Sequence, residues 1–359
     1  MVAVDGAIPA GPPVIAARNL HKTFVTSRNL VGRAVRTVPA VQDVSLAVHA
    51  GRTLGIVGES GSGKSTVARL LLRLIQADHG SVSAGGIDVS RLRRRELRAW
   101  RRNAQMVHQD PFTSMDPRMR VRDSVAEPLH VHEPGLGRDE VRARVDDLLR
   151  SVGVDPGQGE RYPSGFSGGQ LQRIAIARAL APGPSVLVCD EAVAALDVSI
   201  RGQILNLLRD LQRERGIALV FISHDLSLVR AIAHEIVVMY RGRVVETGDA
   251  EQVFAHAAHP YTRRLLHAIP VADPVRQRER QATTTEPATG PAPVAGCQYA
   301  PRCPLRIDRC GAEPPPLVER PDGGAVACFV ASGTRDGTGG GPARAGAGPV
   351  RVEKGPAPC

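Results

Sequence analysis

The chain has 359 residues and a formal net charge of +10; 42% of its residues are hydrophobic and only 3% are aromatic. This length allows two or three domains with a sizeable core. The longest apolar runs, such as residues 217–222, are too short to cross a bilayer. The N-terminal residues 1–14 lack the basic and apolar regions of a signal peptide, so we expect the protein to stay in the cytoplasm.

Much of the positive charge lies in residues 91–102, which contain seven arginines and one glutamate and so carry +6 (seven minus one). Such a block suits nucleic acid or anionic lipid, but it is also typical of a solvated helix face. Aromatic residues for stacking on single strands are scarce. We therefore favour the solvated face and expect no nucleic-acid partner.

In chain order, short apolar runs alternate with amphipathic stretches. Residues 1–13 are rich in Ala, Gly and Pro and are expected to be disordered. Residues 53–58 then predict a buried strand. A helix follows, because apolar residues recur there at helical spacing, namely Val67, Leu70, Leu71, Leu74 and Ile75. Further strands are predicted at 185–190, 217–223 and 235–240, and this alternation favours a mostly parallel α/β sheet.

Other segments depart from this alternation. Residues 110–162 have no apolar strand run, and their pattern predicts a helical insertion into the α/β core. Residues 281–295 are polar and Pro-rich, which is typical of a linker. From about residue 331 the composition predicts a flexible tail.

The sequence GESGSGKS, residues 58–65, fits the phosphate-loop pattern G-x-x-x-x-G-K-[ST]. Its glycines allow backbone N–H groups to surround phosphate oxygens, while Lys64 offers a cation and Ser65 a hydroxyl for Mg²⁺. A predicted strand before it and a helix after it support the match. The candidate ATP-binding residues here are Gly58, Glu59, Ser60, Gly61, Ser62, Gly63, Lys64, Ser65 and Thr66.

Acidic residues follow a later strand: Asp190 and Glu191 stand at its carboxyl end. In a parallel sheet that end faces the ligand crevice, so Asp190 can hold Mg²⁺ and Glu191 can polarise water for attack on a γ-phosphate. A helix-capping acid pair is the alternative. His224 follows the next strand and is expected at the same crevice, although a lone histidine is more often structural.

A second anion site is predicted at FSGGQ, residues 166–170, just before a helical run. A hydroxyl and two glycines at a helix N-terminus offer free N–H groups and a favourable dipole. The alternative is an ordinary helix N-cap that binds no anion, because such a cap has the same residue types.

The ordered motifs GESGSGKST, HQDP, FSGGQ, VLVCDEAVAALD and SHD together resemble the ATP-binding subunits of ABC transporters. The resemblance covers about residues 14–328. It implies a P-loop NTPase (RecA-like) α/β core with a mixed sheet, an inserted α-helical signature subdomain and a small Cys-rich C-terminal extension. The segments expected on this basis are 14–109 and 171–250 for the core, 110–170 for the helical subdomain, 251–280 for a C-terminal segment, 281–296 for the linker, 297–328 for the four-Cys module and 329–359 for the tail.

The resemblance also implies roles for individual residues. The signature would bind ATP held by another subunit's phosphate loop, through Phe166, Ser167, Gly168, Gly169 and Gln170. Gln109 would contact Mg²⁺ and the attacking water, so that Ser65, Gln109 and Asp190 hold the metal. His224 would bond to the γ-phosphate, and Asp197 would lie at the dimer seam. Phe24 is the candidate for stacking on adenine, with a core phenylalanine as the alternative.

The segments HQDPFTSMDPRM, HPYTRRLLHAIP and GCQYAPRCP resemble the oligopeptide/dipeptide branch, and most closely its second ATPase subunit. This implies a second ATPase chain, identical or different, two membrane subunits and an extracytoplasmic peptide-binding protein. It also implies a position at the cytoplasmic face of the cell membrane. Nickel, an opine or an antimicrobial peptide are alternative cargoes. A soluble cassette ATPase acting on nucleic acid or ribosomes is a third hypothesis, supported only by the basic block.

The chain departs from the family pattern at Ala192, Ala194, Gly165 and His108, which replace a proline, a serine, an acidic residue and a phenylalanine. The side chains that handle phosphate are all kept. We therefore expect hydrolysis to be preserved and coupling to differ.

Four cysteines lie near the C-terminus with the spacing C-x5-C-x6-C-x17-C. Four thiolates suit a 4Fe-4S cluster or a structural zinc, and zinc sites normally include a close cysteine pair that is missing here. We therefore favour a 4Fe-4S cluster, as related subunits imply, on Cys297, Cys303, Cys310 and Cys328. Cys189 is expected to be a buried apolar residue.

Overall fold

The computed structural model describes residues 11–28, 34–269, 295–321 and 323–333. Contacts divide the chain into two units between Val244 and Val245, six residues before the predicted end of the core. The predicted disordered start, linker and tail lie mostly outside the described residues. No helix built from the described residues combines the length and apolar character that a membrane-spanning segment needs.

The first unit contains a parallel sheet in the order β9-β3-β8-β7-β6. Strands β3, β7 and β8 are buried along their whole length, because helices of a parallel sheet cover both faces. Its strands are β3 Thr53–Val57, β6 Ala104–Val107, β7 Val186–Asp190, β8 Ala218–Ser223 and β9 Glu235–Tyr240. The accompanying helices are α1 Lys64–Leu71, α2 Arg94–Arg101, α7 Val198–Arg215 and α8 Leu226–Ile232.

A second, antiparallel sheet in the first unit has the order β2-β1-β4-β5. Its strands are β1 Ile15–Arg28, β2 Ala34–Val48, β4 His79–Ala84 and β5 Ile87–Asp88. Ile15, Leu20 and Val44 from this sheet join the same buried cluster as Ile56 and Val220 of the parallel sheet. The two sheets of this unit therefore share one hydrophobic core.

The structure describes all of residues 110–170 and gives them helices and turns without a strand. In α5, Val141, Val145, Leu148 and Leu149 are buried at spacings of four, three and one residues, which is one face of a helix. The longer helices α4, α5 and α6 pack on one another. The helices are α3 Pro111–Ser114, α4 Val121–His132, α5 Arg138–Ser151 and α6 Gly168–Leu180.

The second unit is held around the fully buried carboxylate of Glu246. This carboxylate accepts hydrogen bonds from the backbone N–H groups of Ala258 (2.7 Å) and His259 (3.0 Å) and from the Arg320 guanidinium (3.1 Å). It thereby links three segments of this unit. Strand β10, Arg243–Asp249, runs across the division; the other elements are α9 Ala250–Ala255, α10 Pro260–His267, α11 Arg309–Ala312, β11 Val318–Glu319 and β12 Ala325–Val326.

Candidate active site

Four of the predicted motifs follow the carboxyl ends of neighbouring parallel strands. The register pairs Val57 with Ser223, Ile222 with Asp190, and Val107 with Cys189. Each motif begins one or two residues beyond such a pair. The phosphate loop, the acid pair, His224 and Gln109 therefore meet at one edge of the sheet although up to 166 positions (224 minus 58) separate them in sequence.

The turn between β3 and α1 requires glycine at positions where backbone segments approach closely. Gly63 has a φ of +100°, and a Cβ there would lie 2.3 Å from the carbonyl oxygen of Ala40. A Cβ on Gly58 would lie 2.2 Å from the carbonyl oxygen of Met239. The predicted residues 58–66 form this turn and the first residues of α1.

Lys64, the first residue of α1, is buried and points back onto its own loop. Its Nζ donates to the carbonyl oxygens of Gly58 (2.8 Å) and Glu59 (3.0 Å). Burial lowers the pKa of Lys64, while the charges of Glu191 and Asp190 raise it. The ammonium group thus lies within electrostatic reach of the predicted base Glu191 and the predicted magnesium ligand Asp190.

Ser65 and Asp190 bring two oxygen ligands together. The Ser65 hydroxyl donates to Asp190 Oδ1 at 2.9 Å. Burial raises the pKa of Asp190, although the Ser65 hydrogen bond lowers it. A hydroxyl and a carboxylate are the oxygen ligands that Mg²⁺ prefers, and a cation would offset the burial of the charge. These two residues therefore fit the predicted magnesium site.

Glu191 and His224 form the second close pair. His224 Nδ1 lies 3.4 Å from Glu191 Oε1, and the histidine side chain is 57% exposed against 19% for the glutamate. Glu191 has a φ of +50°, in the left-handed region, and its N–H donates to the carbonyl oxygen of Ile222 at 3.0 Å. A sharp turn directly after β7 thus directs Glu191 toward His224 instead of continuing the strand.

The signature caps helix α6 reciprocally. The N–H of Gln170 donates to Ser167 Oγ at 3.3 Å, and the N–H of Ser167 donates to Gln170 Oε1 at 3.0 Å. A Cβ on Gly169 would lie 2.7 Å from Ile200 Cγ2, so glycine allows α6 to approach α7. Phe166 is buried beneath the Arg161 guanidinium, which lies 4.9 Å from the ring centroid. Ser167 and Gln170 remain exposed.

The remaining predicted site residues lie on the surface. Gln109 is exposed two residues after the end of β6. Asp197 is exposed at the start of α7, beside Val198, which is 81% exposed. Phe24 is 39% exposed on β1 with Lys22 Nζ 5.8 Å from its ring centroid, so it is not a core residue.

Comparisons with known proteins identify the family. Residues 41–194 match the family described as "ABC transporter", and residues 245–310 match "Oligopeptide/dipeptide transporter, C-terminal region". Over 317 residues the chain is 54% identical to the probable peptide ABC transporter ATP-binding protein y4tS of Sinorhizobium fredii, which covers 88% of this chain and 90% of that protein. The chain is an ABC transporter ATP-binding subunit. The predicted family, its peptide-transporter branch and its ATPase activity are thereby confirmed.

Other relatives agree with this family. The glutathione import ATP-binding protein GsiA of Escherichia coli is 51% identical over 276 residues, which are 77% of this chain but 44% of GsiA. The chain thus spans less than half of GsiA. A dimeric structure of the ATP-binding cassette MJ0796 with ADP and phosphate is 28% identical at a TM-score of 0.59, covering 66% of this chain and 98% of that one. The structure of cbiO1 from Clostridium perfringens is 26% identical at a TM-score of 0.59, and the match covers 68% of this chain and 92% of that one. These likenesses confirm the predicted cassette fold.

One residue of this cassette that sequence reasoning missed is Arg201 on α7. Its Nε donates to the carbonyl oxygen of Leu196 (2.8 Å) and its Nη2 to that of Ala194 (3.1 Å). Its Nη1 lies 3.9 Å from the carboxylate of Asp225, the residue after His224. Arg201 therefore fixes the turn that carries Asp197 and connects it to the histidine loop.

The structure gives no support to the metal centre predicted at the four-cysteine module. Cys310 packs in an apolar cluster with Ala300 and Phe329, and the N–H of Cys297 donates to the backbone oxygen of Cys310 at 2.8 Å. All four cysteines are described, and no three His, Cys, Asp or Glu side chains of the described residues are arranged to hold a metal ion. The 4Fe-4S prediction is therefore not supported, and neither is zinc.

The thiols of this module are nevertheless close enough to affect one another electrostatically. Burial raises the pKa of Cys303 to about 11, and the charges of the other three thiols raise it further. Burial also raises the pKa of Cys297, with smaller contributions from Cys310 and Cys328. These two thiols are therefore protonated at neutral pH. Cys189, expected to be apolar filler, is fully buried, and burial raises its pKa to about 12.

Proposed function

We propose that this cassette hydrolyses ATP at its strand-end site and, paired with a second cassette, drives the import of peptides through membrane subunits. The observation that carries the proposal is the convergence of Lys64, Ser65, Asp190, Glu191 and His224 at one edge of the parallel sheet. A cation, a metal-ligand pair and a candidate base with a neighbouring imidazole are the groups that phosphoryl transfer from ATP requires.

In the proposed reaction ATP binds first. Its phosphate oxygens then replace the two loop carbonyl oxygens as the acceptors of the Lys64 hydrogen bonds. Lys64 then neutralises charge on the β- and γ-phosphates, and Phe24 provides a face for adenine. Mg²⁺, held by Ser65, Asp190 and Gln109, would neutralise phosphate charge when bound. Each of these groups acts by position and charge, without forming a covalent bond to ATP.

Glu191 is the proposed base. As the oxygen of a water molecule bonds to the γ-phosphorus, the bond from that phosphorus to the β,γ-bridging oxygen breaks, and Glu191 accepts a proton from the water. The products are ADP and inorganic phosphate. The proposed role of His224 is to donate a hydrogen bond to a γ-phosphate oxygen from its other ring nitrogen, and its 3.4 Å distance from Glu191 supports this role.

A second cassette would complete each ATP site. Ser167, Asp197 and Val198 are exposed, and an 81% exposed valine beside a predicted seam supports contact with another chain. In the proposed head-to-tail pair, the signature N–H groups of one subunit bind the γ-phosphate held by the other. Two membrane subunits and an extracytoplasmic peptide-binding protein complete the importer, with this chain at the cytoplasmic face of the membrane.

Peptides are the proposed cargo. The match to the oligopeptide/dipeptide transporter C-terminal region and the printed name of y4tS support this class. Glutathione, itself a small peptide, is a second candidate because GsiA is 51% identical. Nickel, opines and antimicrobial peptides remain alternatives from the sequence alone.

Reconstitution tests this function. The chain, its partner ATPase and the membrane subunits from the same organism would be placed in liposomes with the cassettes facing the ATP-containing medium. We expect ATP-dependent movement of labelled di- to pentapeptides, abolished by Glu191→Gln. Movement of nickel or an opine without peptide would overturn the cargo assignment. Movement without any ATP consumption would overturn the energising role.

A further inference from the structure

In the antiparallel sheet of the first unit, strand β1 extends beyond its neighbour β4. The register pairs β1 with β4 as far as His21, which lies opposite His79. From there to Arg28, β2 is the one described strand that continues beside it. Phe24, the proposed platform for adenine, lies in this continuation. A side chain there needs a further constraint if it is to be held in place before a ligand binds.

The pairing of β1 with β2 is itself irregular at this point. The register shifts between Leu20 and Lys22 and again between Lys22 and Thr23. Thr23 lies opposite Pro39, which has no N–H group to donate to the ladder. The sheet therefore fixes the segment just before Phe24 less firmly than a regular pair of strands would.

Asp78, the residue before β4, holds this segment by three hydrogen bonds. Its Oδ2 accepts from the backbone N–H of Thr23 at 2.6 Å and its Oδ1 from Lys22 Nζ at 2.7 Å, while its own N–H donates to the carbonyl oxygen of His21 at 2.9 Å. Burial raises the pKa of Asp78, but the hydrogen bonds from Lys22 and Thr23, with the neighbouring positive charge, more than offset this and lower it. The carboxylate is therefore charged at neutral pH. Asp78 thus binds three consecutive residues that end directly before Phe24.

Lys22 connects this carboxylate to the ring of Phe24. Its Nζ, which donates to Asp78, lies 5.8 Å from the centroid of that ring, within the range of a cation–π contact. The Lys22 side chain is only 18% exposed, so its ammonium group lies between the carboxylate and the ring instead of extending into solvent. Asp78 therefore constrains Phe24 twice, through the backbone before it and through a cation beside it.

Phe24 and Val38 form the surface that the base would meet. They lie directly opposite each other on β1 and β2, so their side chains share one face of the sheet, and both are exposed. Val38 precedes Ala40 by two residues, which is about 7 Å of extended strand. The carbonyl oxygen of Ala40 lies beside Gly63 of the phosphate loop. A nucleotide whose phosphates occupy that loop can therefore reach this apolar patch with its base.

We propose that Asp78 is a positioning residue for ATP, which orders residues 21–23 of β1 and so presents Phe24 to the adenine ring. The inference rests on the proposed adenine role of Phe24 and names the residue on which that role depends. Asp78 itself touches neither the phosphates nor the metal. Its effect is confined to the base, because the hydrogen bonds of Lys64 and Ser65 at the phosphate site do not involve it.

Separate measurements with a nucleotide and with a bare phosphate chain test the proposal. ATP and inorganic tripolyphosphate, which lacks base and ribose, would each be titrated with Mg²⁺ into the full chain and followed by calorimetry. We expect Asp78→Ala to bind ATP about tenfold more weakly than wild type, the size of one base–aromatic stack, and to bind tripolyphosphate with unchanged affinity. Asp78→Asn keeps an oxygen acceptor for Thr23 but loses the charge beside Lys22, and should bind ATP about threefold more weakly. Unchanged tripolyphosphate binding also shows that a variant is folded.

Ser45→Ala is the matched control. The Ser45 hydroxyl on β2 accepts from the backbone N–H of Asn19 on β1 at 2.9 Å, so it is also a side-chain acceptor for β1, but five residues before Phe24. This variant should bind both ligands like wild type. The double variant Phe24→Ala, Asp78→Ala should bind ATP no more weakly than Phe24→Ala alone, because both residues act through one ring.

Three results would overturn the proposal. The first is wild-type ATP affinity in Asp78→Ala while Phe24→Ala binds ATP more weakly. The second is equal weakening of ATP and tripolyphosphate in both Asp78 variants, which would make Asp78 a general structural residue. The third is a double variant whose loss is the product of the two single losses. If Asp78→Ala binds neither ligand, Asp78→Asn carries the same comparison. Full ATP affinity in Phe24→Ala would refute the proposed adenine role itself, a failure that the Asp78 variants alone cannot produce.

Discussion

His224 Nδ1 and the Glu191 carboxylate lie 3.4 Å apart across the ends of two neighbouring strands. The pair is assembled by the sheet, because β7 and β8 are hydrogen-bonded with Asp190 opposite Ile222. Glu191 directly follows Asp190, and His224 lies two residues after Ile222, so the two side chains leave their strands within one residue of the same level. This relationship makes Glu191 the residue on which the hydrolytic proposal depends most.

Glu191→Gln should lower ATP turnover by about 10²- to 10⁴-fold, since an amide cannot accept the proton of the attacking water. ATP binding should be kept, because the phosphate loop is untouched. Phosphate release under saturating ATP measures the first effect, and titration with a fluorescent ATP analogue measures the second. Unchanged turnover would remove Glu191 from the role of base.

Lys64→Ala should abolish measurable nucleotide binding. The substitution removes the cation that faces the phosphates and leaves the carbonyl oxygens of Gly58 and Glu59 without this donor. Calorimetric titration with ATP and Mg²⁺ is the measurement. Arg142→Ala, at an exposed position on α5, is the control and should bind ATP like wild type.

Ser167→Arg should stop hydrolysis without weakening ATP binding to the chain's own phosphate loop. The bulky cation would break the Ser167–Gln170 cap and obstruct the face offered to a partner's nucleotide. Turnover and ATP affinity would be compared in the complete complex. Ser164→Arg, on the exposed turn just before the signature, should leave both values near wild type. A loss of ATP affinity in Ser167→Arg would argue against a role toward another subunit.

Arg201→Ala should reduce the kcat for ATP by about tenfold with little change in KM, an estimate based on the loss of two hydrogen bonds that position a loop. The carbonyl oxygens of Ala194 and Leu196 would lose their donor, so the turn before Asp197 would become less ordered. Steady-state kinetics of the complex give the split between kcat and KM. Arg209→Ala, exposed on the same helix, is the control and should leave kcat as it is.

The second unit should lose stability in acid because of His259. Its Nδ1 accepts from the backbone N–H of Tyr261 at 3.0 Å, and burial followed by the charge of Arg263 lowers its pKa from 6.5 to about 3. The unfolded state therefore binds the proton more strongly between these values. The stability is complete above about pH 6.5 and falls as the pH drops toward 3, by about 1.4 kcal/mol per pH unit.

Denaturant unfolding of wild type and His259→Asn at pH 7 and pH 5 measures this effect. Asparagine keeps an acceptor at the start of α10 but does not titrate near these values. We expect the free energy of unfolding to fall between pH 7 and pH 5 by about 2 kcal/mol more in wild type than in the variant. Parallel pH dependence in the two proteins would contradict the assignment to His259.

The residues that follow the strands of the site were predictable because three signals can each be recognised within a short stretch of sequence. An apolar run predicted a buried strand, a glycine-rich turn predicted a phosphate loop, and an acid after a strand predicted the crevice edge. The role of Arg201 was not predictable, because its acceptors are carbonyl oxygens whose direction depends on the path of a turn. An arginine on an amphipathic helix gives the same sequence pattern whether it binds such carbonyl oxygens or only faces solvent.

The cysteine module shows the opposite case. Its spacing suggested a shared metal, but spacing does not specify where each Sγ points. The backbone instead packs Cys310 into an apolar cluster with Phe329 and joins Cys297 to it through main-chain hydrogen bonding. The basic block was similarly ambiguous, because only the positions of α4 and α6 create a concave wall opposite its arginines.

Glu191 holds a backbone conformation that costs an L-amino acid about 1–2 kcal/mol. Glycine would adopt this conformation without that cost and would also remove the carboxylate. Screening variants of this protein for heat resistance alone would therefore enrich inactive molecules at this position, so any thermostabilisation effort has to select for turnover in the same round.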